Sequence, residues 1–245
     1  MNSADLLIPE WPAPSRVKAL MTTRAGGVST GCFSSLNLGD HVGDDPLAVA
    51  RNRREIARLL PCAPLWLNQV HGVQCARADQ VAPGTTADAS ATRVPEVVCA
   101  VMTADCLPVI FCDLDGTVVA AAHAGWRGLL AGVLESTLAK MDVPAKAVIA
   151  WMGAAIGPEA FEVGDEVRRA FVETDAGAGV AFKPATADGK WLADLYTLAR
   201  RRLAACGVRQ VYGGTLCTVA DPQRFFSYRR DGQTGRMAAM VWLSA

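Results

Sequence analysis

The sequence predicts a mixed α/β or α+β sandwich, built as one domain over residues 1–245, and three observations carry that prediction. Short, wholly apolar runs recur through the middle of the chain, as strands buried on both faces require. Segments with apolar residues at helical spacing lie between and after them. A composition of 51% hydrophobic and 20% charged residues supplies enough apolar surface for a substantial core.

Taken in order, Val17 to Thr22 reads as a first strand, followed by a Gly26-Gly27 turn. Asp45-Pro46 opens a helix running to about Leu60, with the aspartate as N-cap and the proline in the first turn, where a missing N–H is harmless. Leu65 to Val70 and Val73 to Ala76 read as extended segments on either side of His71-Gly72. Ala82 to Thr92, rich in Gly, Ala, Thr and Ser, reads as a flexible loop. Val97 to Met102, Leu107 to Cys112 and Thr117 to Ala122 are the short apolar runs. Trp126 to Met141 carries apolar residues at 126, 130, 133, 134, 138 and 141 and reads as one helix. Val148 to Met152 is a further core strand. Helices are predicted at Gly164 to Glu173 and Leu192 to Cys206, the latter closed by Gly207. Val208 to Val219 and Arg236 to Leu243 read as late strands, the last reached through an Asp231-Gly232 turn.

Lys+Arg and Asp+Glu both number 24, so nothing favours binding to a nucleic-acid backbone, and a small-molecule substrate fits better. Met1 to Glu10 has no basic start, apolar stretch and small-residue cleavage site, and no apolar run approaches the roughly 18 residues of a membrane span. Eight cysteines without a Cys-x-x-Cys pair point to reduced thiols, and the expected location is the cytoplasm. The number of chains in the assembly is not written in the sequence.

Three histidines occur, at 41, 71 and 123. His71 ends one extended segment and His123 another, while Cys106 sits in the break between two apolar strands. Strand ends are where α/β proteins gather functional groups. Two imidazoles and a thiolate suit zinc or copper, and three protein ligands leave a fourth tetrahedral position for water or substrate. Separations of 35 and 17 residues exclude a zinc-finger knuckle and fit a site assembled by a preformed fold. Plainer roles remain open: a packed thiol, histidines bonded to carbonyls, Asp105 capping a turn and Arg127 as a solvated first-turn residue. A helix starting at Gly125 or Trp126 would offer free backbone N–H groups to an anion, with Arg127 and Arg24 as charged helpers. Those glycines also fit a simple need for close packing.

Asn68-Gln69-Val70-His71-Gly72, Thr103-Ala104-Asp105-Cys106-Leu107-Pro108 and His123-Ala124-Gly125-Trp126-Arg127-Gly128 resemble the signature segments of the laccase-domain, or multicopper-polyphenol-oxidase-like, proteins, also called a purine nucleoside phosphorylase family. Thr22 to Ser29, Ser35 to Gly39, Gly153 to Gly164 and Phe226 to Asp231 also match, in order, so the resemblance spans nearly the whole chain. It implies mixed β-sheets flanked by helices, similar to cysteine hydrolases related to a bacterial deamidating toxin. It implies too that His71, Cys106 and His123 are the zinc ligands and catalytic centre, with copper as the alternative ion. Arg24, Asn37, His41 and Arg127 are the candidates for substrate or phosphate binding. One departure is visible: Ile156-Gly157-Pro158 is followed by Glu159, Ala160 and Phe161, where some members carry cysteines.

The activities the resemblance implies are several. They include phosphorolysis of adenosine, inosine and methylthioadenosine, adenosine deamination, polyphenol oxidation, and removal of serine from a UDP-muramyl precursor. Zinc lowers the pKa of bound water to about 7, which favours hydrolytic chemistry, with Asp105 or His41 as proton carrier. Cys106 could instead attack as a thiolate with His123 as base, although coordination lowers a thiolate's nucleophilicity. Phosphorolysis needs a phosphate near C1′, which the Gly125 helix start with Arg127 or Arg24 could hold. Four-electron laccase chemistry needs many more histidines than three. A metal-stabilised binding module is the non-enzymatic alternative, and the open coordination position argues against it.

Overall fold

A computed structural model describes residues 6–245. Thirteen strands among these form three sheets. The central one has six strands in the order β12-β8-β6-β7-β4-β3: Gln210–Gly213, Val148–Met152, Leu107–Asp113, Val119–Ala124, Ala89–Thr92 and Cys75–Arg77. It is mixed, with β12 parallel to β8 and β3 parallel to β4, and the other pairs antiparallel. The second sheet is antiparallel in the order β1-β2-β13-β5, formed by Leu6–Leu7, Val17–Thr22, Met237–Leu243 and Cys99–Thr103. A small third sheet joins β10 (Phe182–Pro184), β11 (Lys190–Ala193) and β9 (Glu162–Gly164). The expected mixed sheets flanked by helices are what the chain forms.

Strand periodicity explains the layering. In β6, Leu107, Val109 and Phe111 enter one core, while Ile110 and Cys112 enter another. The first core lies between the six-stranded sheet and α2 (Trp126–Ala131), α3 (Val133–Met141) and α5 (Leu195–Ala205), through Leu129, Leu134, Met141, Leu198 and Leu203. The second lies between the two larger sheets, where Met21, Val101, Ala239 and Val241 meet Ile110, Val119 and Ile149. A third core covers the outer face of the four-stranded sheet, where Ala100, Ala238 and Met240 meet Ile56 of α1 (Pro46–Ala57). Both large sheets are thus covered on both faces, which is why central strands such as β8 and most of β6 read as apolar runs.

Several boundaries differ from expectation, each for a local reason. The predicted helix Trp126 to Met141 is two helices, because Gly132 adopts φ 105°, closes α2 with a bond from its N–H to Gly128 O, and is the N-cap of α3. Leu192 pairs in β11, so the next helix begins at Leu195, where Asp194 caps it by accepting from Thr197 N. The predicted late strand Val208 to Val219 narrows to β12, ended by the positive φ of Gly213 and Gly214. Part of the predicted loop Ala82 to Thr92 is the buried strand β4, whose small side chains carry no apolar signal yet fit tightly between β3 and β7. Leu65 to Val70 forms only isolated bridges, Leu65 to Cys99 and Asn68 to Thr86. α4 (Asp165–Thr174) and the short α6 (Tyr228–Asp231) complete the helices. Among the described residues, no helix is long and apolar enough to cross a membrane.

Candidate active site

His123 lies near the end of β7, next to Ala124 and Gly125, and α2 starts immediately beyond. Gly125 is forced by its neighbours: a Cβ there would sit 2.9 Å from Cys106 Sγ and 2.9 Å from His71 Cδ2. Gly128 is likewise constrained, since its Cβ would stand 2.9 Å from Gly72 O. The glycines of the His123 segment therefore let a helix press directly against the loop that carries His71, as the close-packing reading expected.

A buried carboxylate that the sequence reading did not single out fixes both histidines. Asp88, fully buried just before β4, accepts from Val70 N at 3.2 Å, His71 N at 2.9 Å and Gly72 N at 2.6 Å. It also lies 2.8 Å from His123 Nδ1, while its own carbonyl accepts from His123 N at 2.7 Å. These bonds hold the loop at His71, whose φ is 60°, and turn the Nε2 edge of His123 away from Asp88. Burial would raise the Asp88 carboxyl, but the His123 and Gly72 bonds outweigh it and hold it below the usual range. Asp88 was hidden because it falls in the stretch read as a loop, among residues too small to betray a strand.

The three candidate ligands converge. Ligand atoms of His71, Cys106 and His123 all lie within 4.8 Å of one another, and Cys106 Sγ stands 3.7 Å from His71 Nε2. Around a tetrahedral zinc ion, sulfur and nitrogen ligands stand about 3.6 Å apart. The donor set, its spacing and the carboxylate behind His123 therefore fit one divalent ion. His71 is exposed toward the cavity, Cys106 half-buried and His123 buried, which leaves one side open. Burial would raise the Cys106 thiol, but the His123 and His71 rings pull it down to about 6. His123 moves the other way: burial opposes its charge, yet Cys106 and Asp88 raise it to about 9. A thiolate is already favoured at the point where a soft cation needs one.

The cluster forms one wall of a cavity of about 530 Å³. Arg127, Arg229 and Arg236 line it. The guanidinium of Arg127 lies 4.5 Å from the Trp126 ring, Arg229 Nη1 donates to Glu162 O at 2.9 Å, and Arg236 Nη1 donates to Thr234 O and Gly235 O, each at 3.0 Å. Rings and carbonyls thus hold these three positively charged side chains at the cavity wall. Trp126, Phe161 and Tyr228 supply aromatic walls, Tyr228 being 62% exposed at the mouth. His41 also lines the cavity.

Asp105 lies in the lining, 8% exposed and at φ 87°, with both carboxylate oxygens engaged: one accepts from Thr218 Oγ1 at 2.5 Å and the other from Arg229 N at 2.6 Å. Arg24 and Asn37 are not brought into the cavity lining. Arg24 donates to Ser34 O and Pro222 O and lies 4.7 Å from the Phe226 ring. Asn37, fully buried, bonds Gly39, Asp44 and the N–H of Arg236. Arg229 and Arg236, which sequence reasoning missed as candidates, line the cavity together with Arg127 and His41. Arg229 falls inside the matched segment Phe226 to Asp231, and that was its only signal.

A family model described as "Multi-copper polyphenol oxidoreductase laccase" matches residues 18–244. The chain is 57% identical over 237 residues to "Purine nucleoside phosphorylase PA4543" of Pseudomonas aeruginosa, covering 97% of this chain and 98% of that one. It is 53% identical over 243 residues to "Purine nucleoside phosphorylase YfiH" of Escherichia coli, covering 98% and 99%. The crystal structure of Neisseria meningitidis protein NMB0706 superposes with a TM-score of 0.95 at 54% identity, over 98% of this chain and 100% of that one. That of YlmD from Geobacillus stearothermophilus superposes at 0.89 with 32% identity, over 100% and 98%. With the match running from the first long strand to the last, the chain belongs to the multi-copper polyphenol oxidoreductase laccase family.

Proposed function

We propose that the chain is a zinc-dependent purine nucleoside phosphorylase, splitting adenosine, inosine and methylthioadenosine into base and ribose 1-phosphate (or its methylthio derivative), with adenosine deamination as a side activity. One observation carries this reading: the metal-fitting cluster opens onto a cavity lined by three guanidinium groups and three aromatic rings. Guanidinium forks suit a phosphate, and aromatic walls suit a planar base. The names of the Pseudomonas and Escherichia relatives support the same reading.

His71, Cys106 and His123 would hold the ion, which when bound would supply a Lewis acid at the cavity wall. Asp88 orients His123 and keeps its Nε2 available. Arg127, Arg229 and Arg236 bind and orient the phosphate against C1′. Trp126 and Phe161 screen the reacting bond from water. Three guanidinium groups exceed what a neutral nucleoside and one phosphate demand, and this favours a second reading: removal of serine from UDP-muramyl-serine, whose diphosphate carries more charge.

Product analysis by mass spectrometry tests both. Zinc-loaded protein is given each nucleoside with phosphate in one set of tubes and UDP-muramyl-serine in another. The proposal expects ribose 1-phosphate and free base; inosine from adenosine reports deamination. Free serine, with no nucleoside product, would replace it by the second reading.

A further inference from the structure

We propose that His41 is the proton carrier of this cavity, an imidazole oriented by Asp40 that protonates the departing purine. The inference rests on the phosphorolytic reading above and deepens it.

His41 lines the cavity together with His71, Cys106 and Arg236. Its Nδ1 stands 3.5 Å from Asp40 Oδ1, within ion-pair reach, and such contacts tighten when substrate binds. Asp40 is itself held, since Arg53 Nη1 lies 3.1 Å from its Oδ2. Arg53 in turn donates from Nε to Leu38 O at 2.9 Å, and its guanidinium lies 4.6 Å from the Trp66 ring. Burial alone would raise the Asp40 carboxyl; the Arg53 charge turns the balance and keeps it ionised. The chain Trp66, Arg53, Asp40 thus places a carboxylate beside Nδ1 of a ring that lines the cavity, the arrangement in which Nε2 is the nitrogen left to carry a proton to substrate. The same loop is stitched to the anion-binding wall. Asn37 Oδ1 accepts from Arg236 N at 2.9 Å, Leu38 N donates to Arg236 O at 3.1 Å, and a Cβ on Gly39 would meet Arg236 Cγ at 2.8 Å. The loop that carries His41 is therefore held against Arg236 by one backbone bond, one side-chain bond and a close packing contact.

The carboxylate and the ion-fitting residues of the lining are committed, and Tyr228 carries a phenol, a weaker acid than an imidazolium. Asp105 has both oxygens bonded to donors, and His71, Cys106 and His123 form the ion-fitting cluster. The His41 side chain, 56% exposed, keeps access to solvent protons.

The step balances as follows. A phosphate oxygen forms a bond to C1′ while the C1′–N9 bond breaks, and its electron pair passes to the purine. The proton on His41 Nε2 moves to N7, so the base leaves neutral. The proton then lost by the ribose 1-phosphate monoanion, or one from solvent, restores the imidazolium.

The test compares inosine with 7-methylinosine, whose base departs uncharged without a proton. For His41→Ala, kcat/KM on inosine should fall about 100-fold, in line with general acid catalysis, while 7-methylinosine changes less than about threefold. Asp40→Asn, a change at a positioning residue, should show the same selectivity with a smaller loss of about tenfold. Equal losses on both substrates, or no loss on inosine, would overturn the proposal. Wild-type protein that releases ribose 1-phosphate from neither substrate would instead remove the phosphorolytic reading, and this inference with it.

Discussion

The two walls of the cavity are each tied together by one aspartate, and the two carboxylates work in opposite ways. Asp88 gathers three backbone N–H groups and the His123 ring, so its bonds end on the residues that fit a metal ion. Asp105, one residue before Cys106, reaches across to Thr218 and to the N–H of Arg229, so its bonds end on the wall that carries Arg229 and Arg236. The first wall is a set of strand and helix ends packed to contact, with glycine required at 125 and 128. The second is assembled from the last third of the chain and from the 37–41 loop. The two carboxylates thus divide the labour: one sets ligand geometry, the other brings distant segments together.

The largest effect should come from the ligands themselves. His71→Ala, at an exposed ring, is expected to abolish metal retention and product formation while the melting temperature moves by only a few degrees, checked by elemental analysis, turnover and thermal unfolding. Collapse of the fold would make the ion structural and remove the distinction between the walls.

The next two changes separate the carboxylates. Asp88→Asn should weaken zinc affinity by about 10- to 100-fold, as loss of a partner behind a histidine ligand does. Asp105→Asn should leave zinc affinity within a few-fold and instead lower stability by about 1–3 kcal/mol, the cost of a disrupted buried bond. Competition with a chromophoric chelator and denaturant unfolding measure these effects; equal zinc losses for both variants would break the comparison.

On the charged wall, Arg236→Ala should raise KM for phosphate by about 10- to 100-fold, the worth of a charge-assisted bond, with zinc content unchanged. A change in kcat alone would move Arg236 from binding to the chemical step. Smallest in energy is a pH effect. In chelator-treated protein, alkylation of Cys106 should fall as pH drops through about 6, because the neighbouring rings stabilise the thiolate above that point. A midpoint near the ordinary thiol value would show that the rings do not act on it.

How much of this was legible follows from what each residue contributes locally. Strands such as Leu107–Asp113 announce themselves because burial on both faces leaves no polar interruption. Ala89–Thr92 does not, since small residues between two strands satisfy the same burial without an apolar pattern. His71, Cys106 and His123 stood out as residue types and through the family resemblance; their separations carry no geometry until the sheet folds. Asp88 and Arg236 were beyond reach because their roles depend on long-range pairing. Arg236 arrives only when β13 inserts between β2 and β5, and Asp88 only when β4 pairs with β7. Arg24 and Asn37, chosen from matched segments, prove to brace the loops behind the site.

The most direct test is substitution with cobalt(II), whose spectrum reports its ligands. Wild-type protein should bind one ion per chain and show a thiolate-to-cobalt charge-transfer band with tetrahedral absorption, and Cys106→Ser should lose the band. An unchanged spectrum in Cys106→Ser, or octahedral absorption in the wild type, would contradict the assignment of His71, Cys106 and His123 as the ligands of one metal ion.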